Sequence, residues 1–137
     1  RRQRYDMQIK VKHWSEIDPA EWPWRNFTPD EIACKGTGRL LIKHAAMHAL
    51  QIARDTVSKP FVINSAYRSP RYNAKIGGVK NSYHTKGMAF DISLRGHDKH
   101  QLVNELVAAG FRGIGHYPTF IHADIRPSDH AVHFYRD

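Results

Sequence analysis

The chain offers histidines and carboxylates rather than thiols for chemistry: it has ten histidines and a single cysteine. The stretch "SYHTKGMAFD", residues 82–91, places His84 and Asp91 seven positions apart with Gly87 between them. A strand through "AFDIS" would turn Phe90 and Ile92 to one face and Asp91 and Ser93 to the other. The apolar pair belongs to a core, which leaves Asp91 on the opposite face. Gly87 lets the backbone turn just upstream, so a return could bring His84 beside Asp91. That pair reads equally as part of a metal site or as a polar turn before a strand. A catalytic zinc usually takes three protein ligands and keeps one position open. "FIHADI" supplies the best third candidate. His122 and Asp124 share one strand face, and Ile121, Ala123 and Ile125 share the other. Read alone, this is either a buried metal face or a solvent-facing pair on a half-buried strand. His44 and His48 stand at i, i+4, but a zincin needs glutamate directly after the first histidine and Ala45 is there. They read as a solvated or core-edge pair.

The elements that must position these residues are short. Residues 1–13 read as an arm or edge strand, with "MQIKVKHW" alternating apolar and polar. "SEIDPAEWPWRNFTPDEIAC" reads as irregular structure with helical turns, where Ser15 or Asp18 caps one turn. Thr28 caps another, with Pro29 at its first position and Glu31 three residues after the cap. Trp22, Trp24 and Phe27 read as core packing. "TGRLLIKHAAMHALQIARDTVSK" carries the longest helical pattern, with Ile42, Ala46, Ala49, Leu50, Ala53 and Val57 on one face. Pro60 ends it, "FVIN" reads as a buried strand, and "RSPRYN" as a turn away from it. "KIGGVKNS" is a glycine loop and "GMAFDISL" a second strand. "DKHQLVNELVAAGF" is a helix with Leu102, Leu106 and Val107 inward, ended by Gly110. "GIGHYPTFIHADIRP" is expected to hold a third strand and "HAVHFY" a fourth. The sum is α+β, with a small, mainly antiparallel sheet packed with helices.

Composition removes several function classes. A chain of 137 residues is one domain by length, read as 1–24 for the arm and irregular segment and 25–137 for the core. No apolar run approaches the ~20 residues that span a bilayer. "RRQRYDMQIKVKHW" has no apolar leader core, so a leader removed upstream, another export route and an intracellular life all stay open. One cysteine excludes an intrachain disulfide and zinc-ribbon or zinc-finger spacing, and Cys34 reads as a small buried hydrophobe. Net charge of +8 favours an anionic partner. The basic residues are scattered, with no Lys/Arg stripe and interleaved aromatics, so nucleic acid is not the expected partner.

"SYHTKGMAFD" fits the Ser-x-His-x-x-Gly-x-Ala-x-Asp signature of the zinc D-Ala-D-Ala carboxypeptidases and related peptidoglycan endopeptidases, whose fold is shared with the hedgehog signalling domain. "NSAYRSPRYNAKIGG" resembles the segment just upstream in that family, and "IHADIRP" its third-ligand strand. "NFTPDEIACKGTG" resembles the opening of a branch found in phage lysis enzymes and bacterial wall enzymes. The resemblance covers roughly residues 25 to 127. It implies a monomer that binds peptidoglycan and holds Zn2+ through His84, Asp91 and His122. It makes Arg68 the substrate arginine, suited by a planar guanidinium that can grip a carboxylate or carbonyl with two bonds. It makes Ser82 a residue that contacts substrate or orders its loop.

The chemistry implied is zinc-dependent hydrolysis of stem peptides at a D-amino-acid bond, by a carboxypeptidase or a cross-link endopeptidase acting in the cell wall or periplasm. The chain departs from the family at the general base. Where many members have Glu-x-x-His it has Thr119, and where hedgehog-like members have glutamate six residues earlier it has His116. His116 is one candidate base, since imidazole titrates near neutral pH. Asp124 is the other, unless it orients a ligand instead. The alternative to an enzyme is a wall-binding or protein-binding module that keeps zinc without catalysis. An intact Arg68 and Ser82 speak against it.

Overall fold

The computed structural model describes residues 7–137, so residues 1–6 of the expected arm lie outside the described range. The longest helical pattern divides between two elements. Leu40–Lys43 form a strand, and the helix begins only at His44 and runs to Val57. Ile42, expected on the helix, is therefore a strand residue. The reason is a distant partner. The strand β1, Gln8–Val11, pairs antiparallel with β2, Leu40–Lys43, setting Ile9 opposite Ile42 and Val11 opposite Leu40. Leu40 and Ile42 are buried while Leu41 and Lys43 are half-buried, the period of two that a strand buries on one face. Ala46, Ala49, Leu50, Ala53 and Val57 do line the buried face of α2, His44–Val57.

One expected helical turn forms as read, and one expected turn is a helix. "TPDE" nucleates α1, Pro29–Ile32, with the Thr28 and Glu31 capping box in place. "RSPRYN" is a helix, α3, Pro70–Lys75, rather than a turn. The Ser69 hydroxyl accepts from the Tyr72 N–H, and Pro70 takes the first position, the usual chemistry of a helix start. The last helix, α4, Lys99–Ala109, is as expected. Asp98 caps its start and Gly110, at φ 119°, ends it.

The main sheet runs β3-β4-β6-β5-β7. Its strands are β3 (Ile63–Ser65), β4 (Ala89–Ser93), β5 (Gly113–His116), β6 (Phe120–Asp124) and β7 (Val132–Tyr135). All pairings are antiparallel except β5 with β7, so the expected α+β class with a mainly antiparallel sheet holds. The expected third strand is two strands. A hairpin over residues 117–119 separates them, closed by the Tyr117 N–H donating to the Phe120 carbonyl at 3.1 Å.

One face of this sheet is apolar. Phe90, Ile92, Ile114, Ile121 and Ala123 join Leu50, Leu102 and Leu106 in a single buried cluster. Trp24 and Phe27 belong to that cluster, and Ile9, Val11, Ile17 and Trp22 pack against it. The described part of the segment before residue 25 is thus docked on the core. Trp24 also donates its indole N–H to His48 Nδ1 at 2.9 Å, which makes His44 and His48 a core-edge pair beside an aromatic ring. Cys34 is buried.

Candidate metal centre

The opposite face of the sheet carries the polar residues. Asp91 on β4 pairs directly with His122 on β6, and Ala89 with Asp124. Across β6, Gly115 faces His122 and Gly113 faces Asp124. A Cβ at Gly115 would overlap the Phe134 ring and crowd the His122 Cβ, and one at Gly113 would overlap Asp124 and Arg126. The two glycines of β5 therefore make room for the side chains opposite them.

His84 arrives from a different direction. It sits in a short 3-10 turn, Tyr83–Lys86, capped by Ser82, whose hydroxyl accepts the His84 N–H at 3.1 Å. Gly87 ends the turn at φ 70°. It also lies so close to β2 that a Cβ would overlap the Leu41 carbonyl, and its own carbonyl accepts the Lys43 N–H at 2.9 Å. The two-stranded sheet thus holds the turn that presents His84.

The structure brings His84, Asp91 and His122 together, with one potential ligand atom from each lying within 4.8 Å of the others. His84 Nδ1 lies 2.6 Å from the Ala66 carbonyl. A carbonyl can only accept, so Nδ1 carries the proton and a neutral His84 aims its Nε2 lone pair at Asp91 Oδ1, 3.1 Å away. His122 is the mirror case. Its Nε2 lies 2.6 Å from Asp124 Oδ2, and its Nδ1 lies 3.1 Å from the same Asp91 oxygen. Two imidazole lone pairs and a carboxylate oxygen converge with no proton between them unless a ring takes up a second one. A cation satisfies that arrangement, and an N2O donor set suits Zn2+.

The same contacts set the charges of these groups. Burial opposes ionisation of Asp91, but the bonds to His122 and His84 outweigh it and hold its carboxyl well below the usual range. Burial likewise disfavours charge on His122, yet the bonds to Asp124 and Asp91 push its pKa up. Asp124 is fully buried. Burial is again overcome, here by Arg126 and then His122, and its carboxyl stays well below the ordinary range. Arg126 grips both oxygens, Nε on Oδ1 and Nη2 on Oδ2, each at 2.8 Å. Its guanidinium lies between the Tyr83 and Phe134 rings, 4.9 and 5.7 Å from their centroids.

Arg68 borders these three residues, with Nη2 3.3 Å from Asp91 Oδ2. Its Nε donates to Ser65 Oγ and its Nη1 to Asn73 Oδ1. Ser82 is half-buried, and its hydroxyl oxygen accepts the His84 N–H of the turn. His116, the other candidate base, does not join the group. It pairs with Ile121, whereas Gly115 pairs with His122, so its side chain leaves the sheet on the opposite face. There it stacks on Tyr135 at 4.3 Å, and its Nε2 meets His133 Nδ1 at 2.9 Å. A small cavity shared with Lys99, His100 and Val103 adjoins it. His130 is exposed beside Asp129.

Sequence reasoning missed Arg126 and Asn73. Arg126 had a signal, because it continues the alternation of His122 and Asp124. Asn73 had none beyond its place in the quoted upstream segment, because α3 itself went unread.

A family model described as peptidase M15 matches residues 25–124. The peptidoglycan L,D-endopeptidase MepK of Escherichia coli strain K12 is 34% identical over 79 residues, which cover 53% of this chain and 43% of that protein. The protein of the same name from Shigella flexneri matches to the same extent. The chain spans less than half the length of these curated relatives.

Proposed function

Since the chain belongs to the peptidase M15 family, we propose that it is a zinc-dependent peptidoglycan hydrolase. It cuts stem peptides at a bond involving a D-amino acid, as an endopeptidase rather than as a D-Ala-D-Ala carboxypeptidase. The observation that carries the metal reading is the convergence of His84 Nε2, His122 Nδ1 and one Asp91 oxygen, with the outer ring nitrogens tied to Ala66 and Asp124. The preference for endopeptidase action rests on MepK, named for cleavage of L,D bonds in peptidoglycan. Peptidoglycan as substrate, and the cell wall or periplasm as the place of action, follow from the same likeness.

His84, Asp91 and His122 hold the ion. When bound, zinc would polarise the scissile carbonyl and make water a stronger acid. Arg68 binds and orients the peptide: three of the five N–H groups of its guanidinium are engaged, which leaves one on each terminal nitrogen for a carboxylate or carbonyl. Asp124 keeps the Nε2 proton on His122 and so fixes which nitrogen faces the ion. Ser82 orders the turn under His84. Of the two candidate bases, Asp124 alone stands on this face.

The test is purified protein incubated with isolated sacculi and with a D-Ala-D-Ala pentapeptide, with zinc and with chelator, and products identified by mass. Zinc-dependent loss of cross-linked or full-length stem peptides is expected, without release of terminal D-Ala. Release of D-Ala alone would make it a carboxypeptidase. Binding to sacculi with no product from either substrate would make it a non-catalytic wall-binding module.

A further inference from the structure

Arg68 and Ser82 stand on separate segments, yet one buried amide joins them. Asn73, on α3, is 3% exposed. Its Oδ1 accepts from Arg68 Nη1 at 3.2 Å, and its Nδ2 donates to the Val79 carbonyl at 2.8 Å. The Ser82 N–H donates to that same carbonyl at 3.2 Å. Gly78 closes the arrangement. Its N–H donates to the Asn73 carbonyl at 2.8 Å, and a Cβ on it would overlap Asn73 Oδ1. An amide is the right group here, since it presents an acceptor to the guanidinium and a donor to the carbonyl in one plane. A carboxylate would set an acceptor against the carbonyl, and alanine would leave buried groups on both sides unpaired.

We propose that Asn73 is a positioning residue for substrate recognition: it holds the Arg68 guanidinium in register with the glycine loop that leads into Ser82 and the His84 turn. Ser65 and Asp91 fix two corners of the guanidinium, and Asn73 fixes the third. With all three corners held, the two spare N–H groups keep a constant direction toward the peptide. The short helix α3, started by Ser69 and Pro70, serves to deliver this one side chain. The inference rests on the assignment of Arg68 to substrate made above.

The experiment measures kcat and KM on a soluble cross-linked muropeptide for the wild type, Asn73→Ala, Arg68→Ala and the double variant. Zinc affinity by chelator competition and amide exchange at Ser82 are followed alongside. Asn73→Ala is expected to raise KM about tenfold, with kcat and zinc affinity within about threefold of wild type. Because Asn73 acts through Arg68, the double variant should be no worse than Arg68→Ala alone. Ser82 amide exchange should quicken by about tenfold or more, while β4 and β6 keep their protection. Gly78→Ala, which displaces the amide from outside, should reproduce the rise in KM if Asn73→Ala folds poorly. Additive effects in the double variant, an unchanged KM, or loss of zinc in place of a KM effect would overturn the assignment. If the wild type cleaves nothing, the hydrolase reading fails by itself, and unchanged Ser82 exchange together with an unmoved Arg68 Nε–H resonance in Asn73→Ala would separately overturn the positioning role of Asn73.

Discussion

Asp124 Oδ2 lies 2.6 Å from His122 Nε2, and the same carboxylate is held at both oxygens by Arg126. That contact decides how His122 is used. With Nε2 committed to Asp124, only Nδ1 is left to face Asp91 and His84. Asp124→Asn keeps the shape but removes the charge that favours a proton on Nε2. Zinc affinity is expected to fall about 10- to 100-fold, the range found when such orienting partners are removed. Competition with a fluorescent chelator checks it. Full zinc affinity with turnover lost would instead make Asp124 the residue that takes the proton.

His116 provides the complementary case. Its side chain is on the face away from His84, Asp91 and His122, so His116→Gln should keep turnover on sacculi within about threefold of wild type. A loss of 100-fold or more with the fold and zinc intact would show that the imidazole reaches the reaction after all.

The same histidine should shape stability in acid. Burial, with Lys99 and His133 adding to it, holds the His116 pKa below its ordinary 6.5. In the unfolded chain it returns to about 6.5. Between those two values the unfolded chain binds the extra proton, so stability rises with pH there and is lost as pH falls below about 6.5. Urea midpoints measured from pH 8 down to pH 5 should drop more steeply for the wild type than for His116→Gln. Parallel curves would rule this contribution out.

Gly87 is expected to be the least replaceable glycine near the site. At φ 70° an L side chain is strained, and any Cβ would overlap the Leu41 carbonyl. Gly87→Ala should cost about 2 kcal/mol or more and weaken zinc binding, because the turn that presents His84 must shift. Thermal unfolding with and without zinc measures both. An unchanged Tm and zinc affinity would mean that β2 yields to the added carbon.

The parts of the site that depend on local backbone geometry were legible in the sequence. Alternation in "AFDIS" and "FIHADI" placed Asp91, His122 and Asp124 on one side and Phe90, Ile92, Ile121 and Ala123 on the other, because successive strand residues must point to opposite faces. Gly110 marked the end of α4 for an equally local reason, the unpaired C=O groups of a helix end. Long-range pairing decided the rest. Ile42 became a strand residue because β1, some thirty residues earlier, pairs with it. His116 left the site because the hairpin sets it opposite Ile121, and a shift of one residue would have reversed its face. Ser82 turned its hydroxyl to its own turn, and Asn73 found Arg68 and Val79 through a helix too short to show apolar periodicity. The order and spacing of side chains fix the face each residue takes along its own strand. Which strands meet, and in what register, is settled by packing between segments far apart in the chain, and that settles which His122 nitrogen faces Asp91 and which histidine lies on the other side of the sheet.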